Sequence, residues 1–351
     1  MKKLFFVVAL LAVVASCTKN EVIPQNDGNK EITYLTAPLT KVDPFGTTNK
    51  FYSYAYLLTE GKKWASASNS SDPYIDEALV SYHTPVPPAT PVWKASQSYS
   101  WPKDAGSSLT FFAWSNGTGT LDPTVGECSK ANGVQFPNYN VKTHKNKDMM
   151  VAKIVADQKA NTNPGEYETE GVPTLFYHVL SSLKIQAKVK ETYSDVTFKV
   201  KNIKLLKNSV QGSYTQGVNK DALPTAGTWT EASPAEIADE LQVYNHVGFT
   251  LNTSEQELEA TDADFRILLP HTFGAEEKMQ ITYDIITEYT GSEVIETVTV
   301  SEKLSEIFKE TIPASWEAGK KYTLTITLSM NEILWDPAVA EWTPGTGSWS
   351  M

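Results

Sequence analysis

The amino-acid sequence predicts an all-β protein built from two β-sandwich domains in tandem. Short segments that alternate apolar and polar residues, rich in β-branched and aromatic side chains, recur along most of the chain. Helical periodicity is scarce and is confined to one or two turns at 235–241 and 304–308. A polar stretch at 159–171 separates two strand-rich halves. We therefore expect one sandwich at 42–175 and a second at 176–330.

Each predicted strand is a short run in which apolar and polar side chains alternate. The clearest run is 196–205, so Lys199, Lys201 and Lys204 are expected on a solvated sheet face. Four prolines at 84–91 exclude a central strand, because proline lacks the amide that a strand donates. In chain order, we predict strands at 32–39, 51–58, 109–114, 149–155, 174–189, 196–205, 265–270, 279–289, 293–302 and 321–330. Long loops are predicted at 65–73, 83–91 and 116–136.

The chain begins with a pattern typical of export. A short basic start precedes an apolar run at 4–14, which is too short to span a bilayer, as in a secretory signal peptide. Residues 14–17 read Val-Ala-Ser-Cys, which resembles the lipobox at which bacterial lipoproteins are cut before an acylated cysteine. We therefore expect a signal peptide at 1–16 and a lipid on Cys17 that anchors the chain in the outer membrane. Residues 17–41 would form a lipidated tether that ends in the first strand.

Charge and motif content exclude several function classes. The net charge of −11 argues against a nucleic-acid partner, because phosphate binding needs clustered basic residues. Arg266 is the only arginine, which leaves little room for a bidentate anion clamp. Local motifs of zinc peptidases, serine hydrolases and nucleotide-binding loops are absent from the sequence. We predict no enzyme, no cofactor and no metal; the alternatives are a cation site at Asp262 and Asp264 and a glycosidase carboxylate pair, which leaves no local signature.

The aromatic content raises the alternative of a glycan-binding surface. Nine Trp and sixteen Tyr are available, and aromatic faces stack on sugars. Tyr52, Tyr54 and Tyr56 share one face of a strand, however, and such residues usually pack within a sheet. Cys128 would be a lone thiol after export, and we interpret it as a small buried residue rather than a reactive site.

Several segments occur together in an order that matches one protein family. These segments are 14–17, Trp101-Pro102 with 109–115, 148–152, 175–183, 203–205 ahead of 212–214, and 316–324 ahead of a Trp-containing tail. The most specific are F-x-H-x-L-S at 176–181 and W-x-A-G-K-x-Y at 316–322. Through them the sequence resembles the fimbrillin lipoproteins, the Mfa-like type V pilins of Gram-negative bacteria, over most of residues 31–343.

The resemblance implies a fold and an assembly mechanism. Each domain would be a transthyretin-like β-sandwich, and the protein would be a subunit of a surface fimbrium that supports adhesion. A trypsin-like protease would remove the N-terminal strand, and a strand from another subunit would fill the open groove. The matching cleavage site here is Thr40-Lys41, where the family usually carries Thr-Arg. A trypsin-like pocket accepts Lys41, whereas an Arg-only protease would not cut there.

The tail at 331–351 is the candidate donor strand. The candidate donor residues are Ile333, Trp335, Val339 and Trp342. The first three share one parity, and Pro337 between them suits only an edge or a bulge. The alternative is that the tail is the last strand of the C-terminal domain. For the whole protein, the alternative function is a monomeric surface lipoprotein, or a pilus-tip adhesin, that binds a glycan or host ligand.

Overall fold

The computed structural model of the protein describes residues 30–36, 45–64, 73–85, 92–161, 171–232, 235–259, 264–309 and 314–342. Nearly all regular structure in these residues is β, which confirms the predicted all-β class. A short helix, α1 (Leu304–Ile307), occurs where the sequence predicts a helical turn. No helix in the described ranges is long and apolar enough to cross a membrane. The predicted signal peptide, Cys17 and Lys41 lie outside these ranges.

The strands divide between the two halves of the chain. The first half contains β1 (Tyr34–Leu35), β2 (Lys50–Leu58), β3 (Pro73–His83), β4 (Val92–Ala95), β5 (Ser108–Ser115), β6 (Glu127–Ser129), β7 (Gly133–Asn140), β8 (Met150–Ala152), β9 (Val155–Gln158), β10 (Val172–Pro173) and β11 (Phe176–His178). The second half contains β12 (Ser181–Val189), β13 (Val196–Ser209), β14 (Gln211–Thr215), β15 (Thr228–Glu231), β16 (Ile237–Thr250), β17 (Gln256–Glu257), β18 (Ile267–Leu268), β19 (His271–Thr272), β20 (Lys278–Tyr289), β21 (Ser292–Lys303), β22 (Ser315–Trp316), β23 (Lys320–Leu328) and β24 (Ile333–Glu341).

Nine strands form one large sheet in the order β10-β1-β4-β3-β2-β5-β8-β11, with β9 also paired to β5. The sheet bends over itself, so that side chains of β1, next to one end of the sheet, and of β11, at the other end, both contact Phe51 of β2. The ring centroid of Phe51 lies 5.5 Å from that of Tyr34 in β1 and 5.3 Å from that of Phe176 in β11. The bent sheet thereby encloses a core of its own, rich in aromatic side chains.

The opposite face of this sheet is also covered. All eight residues of β5 are buried, and Phe112 and Trp114 point away from the enclosed core into a second one. A small sheet of order β15-β14-β7-β6 lies against them. Phe136 of β7 packs on Trp114 at 5.6 Å and stacks on Tyr214 of β14 at 5.5 Å between ring centroids.

The second half forms a sandwich of two sheets. One has the order β17-β12-β23-β24, with β18 also on β12, and the other has the order β16-β13-β20-β21. β12 and β23 run parallel from the pair Ser182–Lys321 to the pair Val189–Leu328, and both turn alternate apolar side chains inward. The core between the sheets includes Leu183, Ile185, Val200, Leu205, Ile281, Leu324 and Ile326.

Two features cross the predicted division between residues 175 and 176. β11 belongs to the first sheet, where it pairs with β8. In the small sheet, β7 of the first half pairs with β14 of the second. The two halves therefore share a sheet and a hydrophobic cluster, and the division into domains at that point stays a prediction.

The helical turns predicted at 235–241 are wrong, because these residues enter β16. Ala238 and Leu241, which are three residues apart, both point into the core. In the paired strand β13, Lys207 adopts a left-handed conformation with a φ of 58°. The inward-facing positions are therefore spaced by three at this point, and the spacing imitates a helix.

Other differences from the sequence prediction have similar causes. The predicted loop 116–136 contains β6 and the start of β7. β3 was not predicted, since Glu77 has a φ of 55° and the register with β2 shifts there, which breaks the alternation. The single segment predicted at 174–189 is divided between β11 and β12, which lie in different sheets.

A buried ion pair gives the second sandwich a pH-dependent contribution. His271 donates from Nε2 to both carboxylate oxygens of Glu277 at 3.0 Å and from Nδ1 to the carbonyl of Leu269 at 2.8 Å. Burial lowers the pKa of His271, but the hydrogen bonds and the charge of Glu277 outweigh burial. The pKa of His271 therefore lies above its ordinary value.

We predict that this pair stabilises the fold at low pH and loses its effect as pH rises. A raised folded-state pKa means that the stabilisation is complete below about pH 6.5 and disappears as pH passes the folded value. The difference in unfolding free energy between the wild type and Glu277→Gln should therefore shrink as pH rises above about 6.5 in urea titrations. Glu306→Gln, at an exposed ion pair with Lys309, is the control and should show no such trend. A difference that widens with pH would contradict the assignment.

Candidate functional site

The first strand fills a position inside the large sheet. β1 runs parallel to β10, with Tyr34 opposite Val172 and Leu35 opposite Pro173. It also runs antiparallel to β4, where Tyr34 lies opposite Trp93. Backbone hydrogen bonds, written donor first, join Ile32 to Tyr99 (2.7 Å), Val172 to Thr33 (2.8 Å) and Thr174 to Leu35 (2.7 Å). A segment at the start of the chain thus occupies an interior strand position.

The side chains of this segment are deeply buried. Ile32, Tyr34 and Thr36 are exposed by 2%, 4% and 4%. The ring of Tyr34 meets Phe51 and Phe111 edge to face, with centroids 5.5 and 6.1 Å apart. We call the space that residues 30–36 occupy, between β4 and β10, the first-strand groove.

The inward face of the first strand differs from the face that the sequence suggests. The predicted alternation follows Leu35, Ala37 and Leu39, whereas the buried residues have the opposite parity. Leu35 is half-buried, and Ala37 and Leu39 lie outside the described residues. Tertiary packing of Tyr34 between two phenylalanines decides the orientation, and this contact has no local sequence signal.

Asn161 holds the first strand from the side. Its side chain is almost fully buried, at 1% exposure. Its Oδ1 accepts from the indole Nε1 of Trp101 at 2.9 Å and from the amide of Thr33 at 3.3 Å. Its Nδ2 donates to the carbonyl of Glu31 at 2.8 Å, and its own carbonyl accepts from Gly171 at 2.7 Å. Sequence reasoning gave no indication of this residue, because an isolated Asn ahead of a polar loop is unremarkable.

The candidate donor tail lies on its own C-terminal sheet. β24 pairs antiparallel with β23 along its whole length and is the end strand in that sheet order. Ile333 and Trp335 are half-buried against the core, whereas Val339 is 38% exposed. This placement is the alternative stated above, and the donor role stays a prediction.

Trp342 attaches the end of the tail to the first sheet. Its indole stacks on the imidazole of His178 in β11, with centroids 4.0 Å apart and planes inclined by 7°. The carboxylate of Asp148 lies 2.6 Å from Nδ1 of His178, and the amide of Trp342 donates to the carbonyl of Gly319. Asp148 and His178 both lie in segments that carry the family resemblance, but nothing in their spacing predicts that they touch.

The three tyrosines that the sequence predicts to pack within a sheet lie mainly in the core. Tyr54 and Tyr56 are buried, and Tyr52 is half-buried against Trp114. Cys128 is half-buried in β6, where its Sγ lies 4.0 Å from the hydroxyl of Tyr56. Burial raises the pKa of the Cys128 thiol. This raised pKa argues against a reactive thiolate.

The acidic pair considered for a cation is only partly described. Asp264 is buried, and its carbonyl accepts from Asn146 at 2.8 Å, whereas Asp262 lies outside the described residues. Within the described part of the chain, no three His, Cys, Asp or Glu side chains gather as metal ligands would.

The chain is similar to fimbrial proteins in sequence and in fold. A family model described as fimbrillin-like matches residues 56–342. A fimbrial protein from Bacteroides vulgatus superposes with a TM-score of 0.61 at 20% identity, over 84% of this chain and 93% of that chain. A candidate cell adhesion protein from Bacteroides uniformis gives 0.49 at 17% identity, over 91% and 99%. The C-terminally truncated tip fimbrial protein Mfa3 from Porphyromonas gingivalis gives 0.37 at 10%, over 89% and 98%. No curated protein matches the chain.

We predict that Trp342→Ala loosens the tail without unfolding the protein. Loss of the indole removes the stack on His178 that holds the end of β24. Amide hydrogen exchange in β24 should accelerate by about tenfold or more, while amides of β13 and β20 keep their protection. Leu334→Ala removes an exposed side chain from the same strand and should change little. Unchanged exchange in the Trp342 variant would show that the stack does not hold the tail.

Proposed function

The chain belongs to the fimbrillin-like family, and on that premise we propose that it is a structural subunit of a surface fimbrium that supports adhesion. In this proposal, cleavage after Lys41 removes the first strand, and the tail of a neighbouring subunit takes its place. The family is a fimbrial one, so the proposed activity is assembly rather than catalysis. The partners are other copies of the pilin, and the location is the cell surface.

The first-strand groove is the observation that carries this proposal. Removal of residues 30–36 would break the hydrogen bonds that the amides of Val172 and Thr174 donate and the one that the carbonyl of Tyr99 accepts from Ile32. It would also expose the aromatic pocket around Phe51 and Phe111. An open strand position of this kind is prone to association, and refilling it with another extended segment satisfies both the backbone and the pocket.

The tail has more to gain from the groove than from its present position. Ile333 and Trp335 are only half-buried on β24, whereas Ile32 and Tyr34 are almost wholly buried in the groove. Full burial of a large apolar side chain contributes about 1.5–3 kcal/mol, so completing a half-burial contributes about 1 kcal/mol per residue. These gains oppose the cost of breaking the β23–β24 ladder.

The alternative function, a monomeric glycan binder, receives no support from the tyrosines of β2. Tyr54 and Tyr56 are core residues and do not form an open aromatic face. A monomer that keeps β24 on its own sheet is therefore the competing outcome of the experiments below. A tip subunit that also binds a host ligand is compatible with the proposed assembly.

We predict that cleavage at Lys41 triggers polymerisation through the tail. Trypsin treatment of the purified precursor should yield a ladder on an unheated gel, and Lys41→Ala should abolish it. Trp335→Asp with Val339→Asp should also abolish the ladder, because charge in a desolvated groove costs several kcal/mol.

The matched control for these substitutions is Val294→Asp with Ile295→Asp, which places two charges on the exposed strand β21. The control should form ladders like the wild type, and circular dichroism should show that every variant remains β-folded. Normal ladders from the Trp335 and Val339 double variant, or from Lys41→Ala, would refute strand exchange through these segments.

We also propose that Cys17 carries the lipid that brings the precursor to the outer membrane, on the basis of the lipobox-like pattern at 14–17. Cys17→Ala should leave an unprocessed or soluble protein, because a chain without acyl groups has no stable anchor. Cell fractionation and intact mass measure this. Membrane partitioning of the Cys17 variant with the mass of the mature wild type would contradict it.

A further inference from the structure

The side-chain amide of Asn161 acts as one peptide group of a strand that lies beside residues 31–33. Its Nδ2 donates to the carbonyl of Glu31 and its Oδ1 accepts from the amide of Thr33, on either side of Ile32. This is the pattern with which a parallel neighbour bonds a strand. β10 continues the same pattern one step further on, because Val172 donates to Thr33 and Thr174 donates to Leu35. Asn161 therefore extends β10 where its backbone ends.

Asn161 therefore recognises the backbone atoms and the direction of the bound strand, and does not contact its side chains through these two hydrogen bonds. Any strand that enters the groove in the direction of β1 can satisfy Asn161, provided that it carries an amide proton at the position of Thr33. The side-chain pockets for Ile32 and Tyr34 then select which residues stand on either side of that position.

The tail repeats the pattern of the first strand. Residues 31–37 read Glu-Ile-Thr-Tyr-Leu-Thr-Ala, and residues 332–338 read Glu-Ile-Leu-Trp-Asp-Pro-Ala. Glutamate, isoleucine and alanine recur at the same places, and an aromatic residue follows isoleucine by two. The residues that recur at the groove positions, Ile333 and Trp335, have the parity that is buried in the first strand.

Resting on the proposed strand exchange, we propose a single register for it: Ile333 takes the place of Ile32 and Trp335 takes the place of Tyr34. Asn161 of the acceptor then bonds the carbonyl of Glu332 and the amide of Leu334. Ser98, which donates to the Glu31 carboxylate at 2.7 Å, receives Glu332 in the same way.

Other registers conflict with the groove. A shift by one residue turns Ile333 and Trp335 away from the pockets. A shift by two in one direction brings Pro337 to the position of Tyr34, which pairs with both β4 and β10. A shift by two in the other direction places Asn331 in the pocket of Ile32. In the proposed register Pro337 takes the position of Thr36, after the paired residues of β1.

Cysteine pairs in a Cys128→Ser background test the register. Leu35 lies opposite Pro173 in β1 and β10, so Leu35→Cys with Pro173→Cys should form a disulfide within the uncleaved precursor and establishes that this position can be bridged. In the proposed register Asp336 replaces Leu35. After trypsin treatment, Asp336→Cys with Pro173→Cys should therefore give subunits cross-linked to one another on a heated, non-reducing gel. Leu334→Cys or Ala338→Cys with Pro173→Cys should not, because two residues along a strand add about 6.6 Å.

The unheated gel separates this inference from the function it rests on. If no heat-labile ladder forms, strand exchange fails and the register falls with it. If the ladder forms but the cross-link is absent at residue 336, or occurs at 334 or 338, only the register is overturned.

As a second measurement, Asn161→Asp keeps the acceptor and loses the donor to the incoming carbonyl. It should lower the temperature at which the ladder dissociates by about 5 °C, whereas Asn132→Asp on the exposed surface should not. An unchanged dissociation temperature for Asn161→Asp would refute its role.

Discussion

The large sheet depends on having a strand between β4 and β10. β1 supplies pairing to both, while Ile32 and Tyr34 complete the aromatic core that the bent sheet encloses. The two neighbours cannot replace it, because they would then have to meet across a strand's width and over an unfilled pocket. The integrity of this half of the molecule therefore depends on a segment of a few residues close to the start of the chain. In the proposed strand exchange, only this short segment would be replaced.

The C-terminal strand β24 is, by contrast, held to its sheet along one edge only in the part of the chain that the structure describes. β24 is an end strand with one edge unpaired within the described residues, and six of its nine residues are exposed. The stack of Trp342 on His178 holds its far end against β11. β11 is itself the end strand of the first sheet, so this contact joins the tail to the same sheet whose groove it is proposed to fill in a neighbour. In the proposed exchange, release of the tail would break contacts between two end strands, β24 and β11, whereas occupation of the groove would fill an interior strand position.

Local patterns predicted the all-β class and most long strands, because those strands have one solvated face and alternate accordingly. The prediction failed where three-dimensional contacts override the period of two. Glu77, with a left-handed backbone, breaks the alternation of β3, and Lys207, also left-handed, lies opposite the part of β16 where a spacing of three imitates a helix. β5 was predicted although it is buried on both faces. The candidate site was harder to predict. Cys17, Lys41 and the tail follow from motifs and parity, whereas Asn161 and the His178–Trp342 stack join residues more than a hundred positions apart. The recurrence of residues 31–37 in 332–338 is visible in the sequence. This recurrence points to a shared groove only once the structure shows that Ile32 and Tyr34, rather than Leu35, face inward.

In the groove, hydrogen bonds hold the backbone of the inserted strand, while pockets select its side chains. This arrangement suits a contact between subunits of a polymer. Hydrogen bonds from β10, Tyr99 and Asn161 reach backbone atoms, so they would hold any extended segment in one direction. The pockets of Ile32 and Tyr34 supply the sequence preference, and burial of large side chains there supplies most of the net stabilisation. In the precursor the first strand is covalently attached, so its effective concentration at the groove exceeds that of any tail in solution. In the proposed assembly, cleavage would remove this advantage in one irreversible step, and a tail with the same pattern of isoleucine and aromatic residue could then compete for the groove. The proposed joint therefore needs no conformational signal beyond the cut itself.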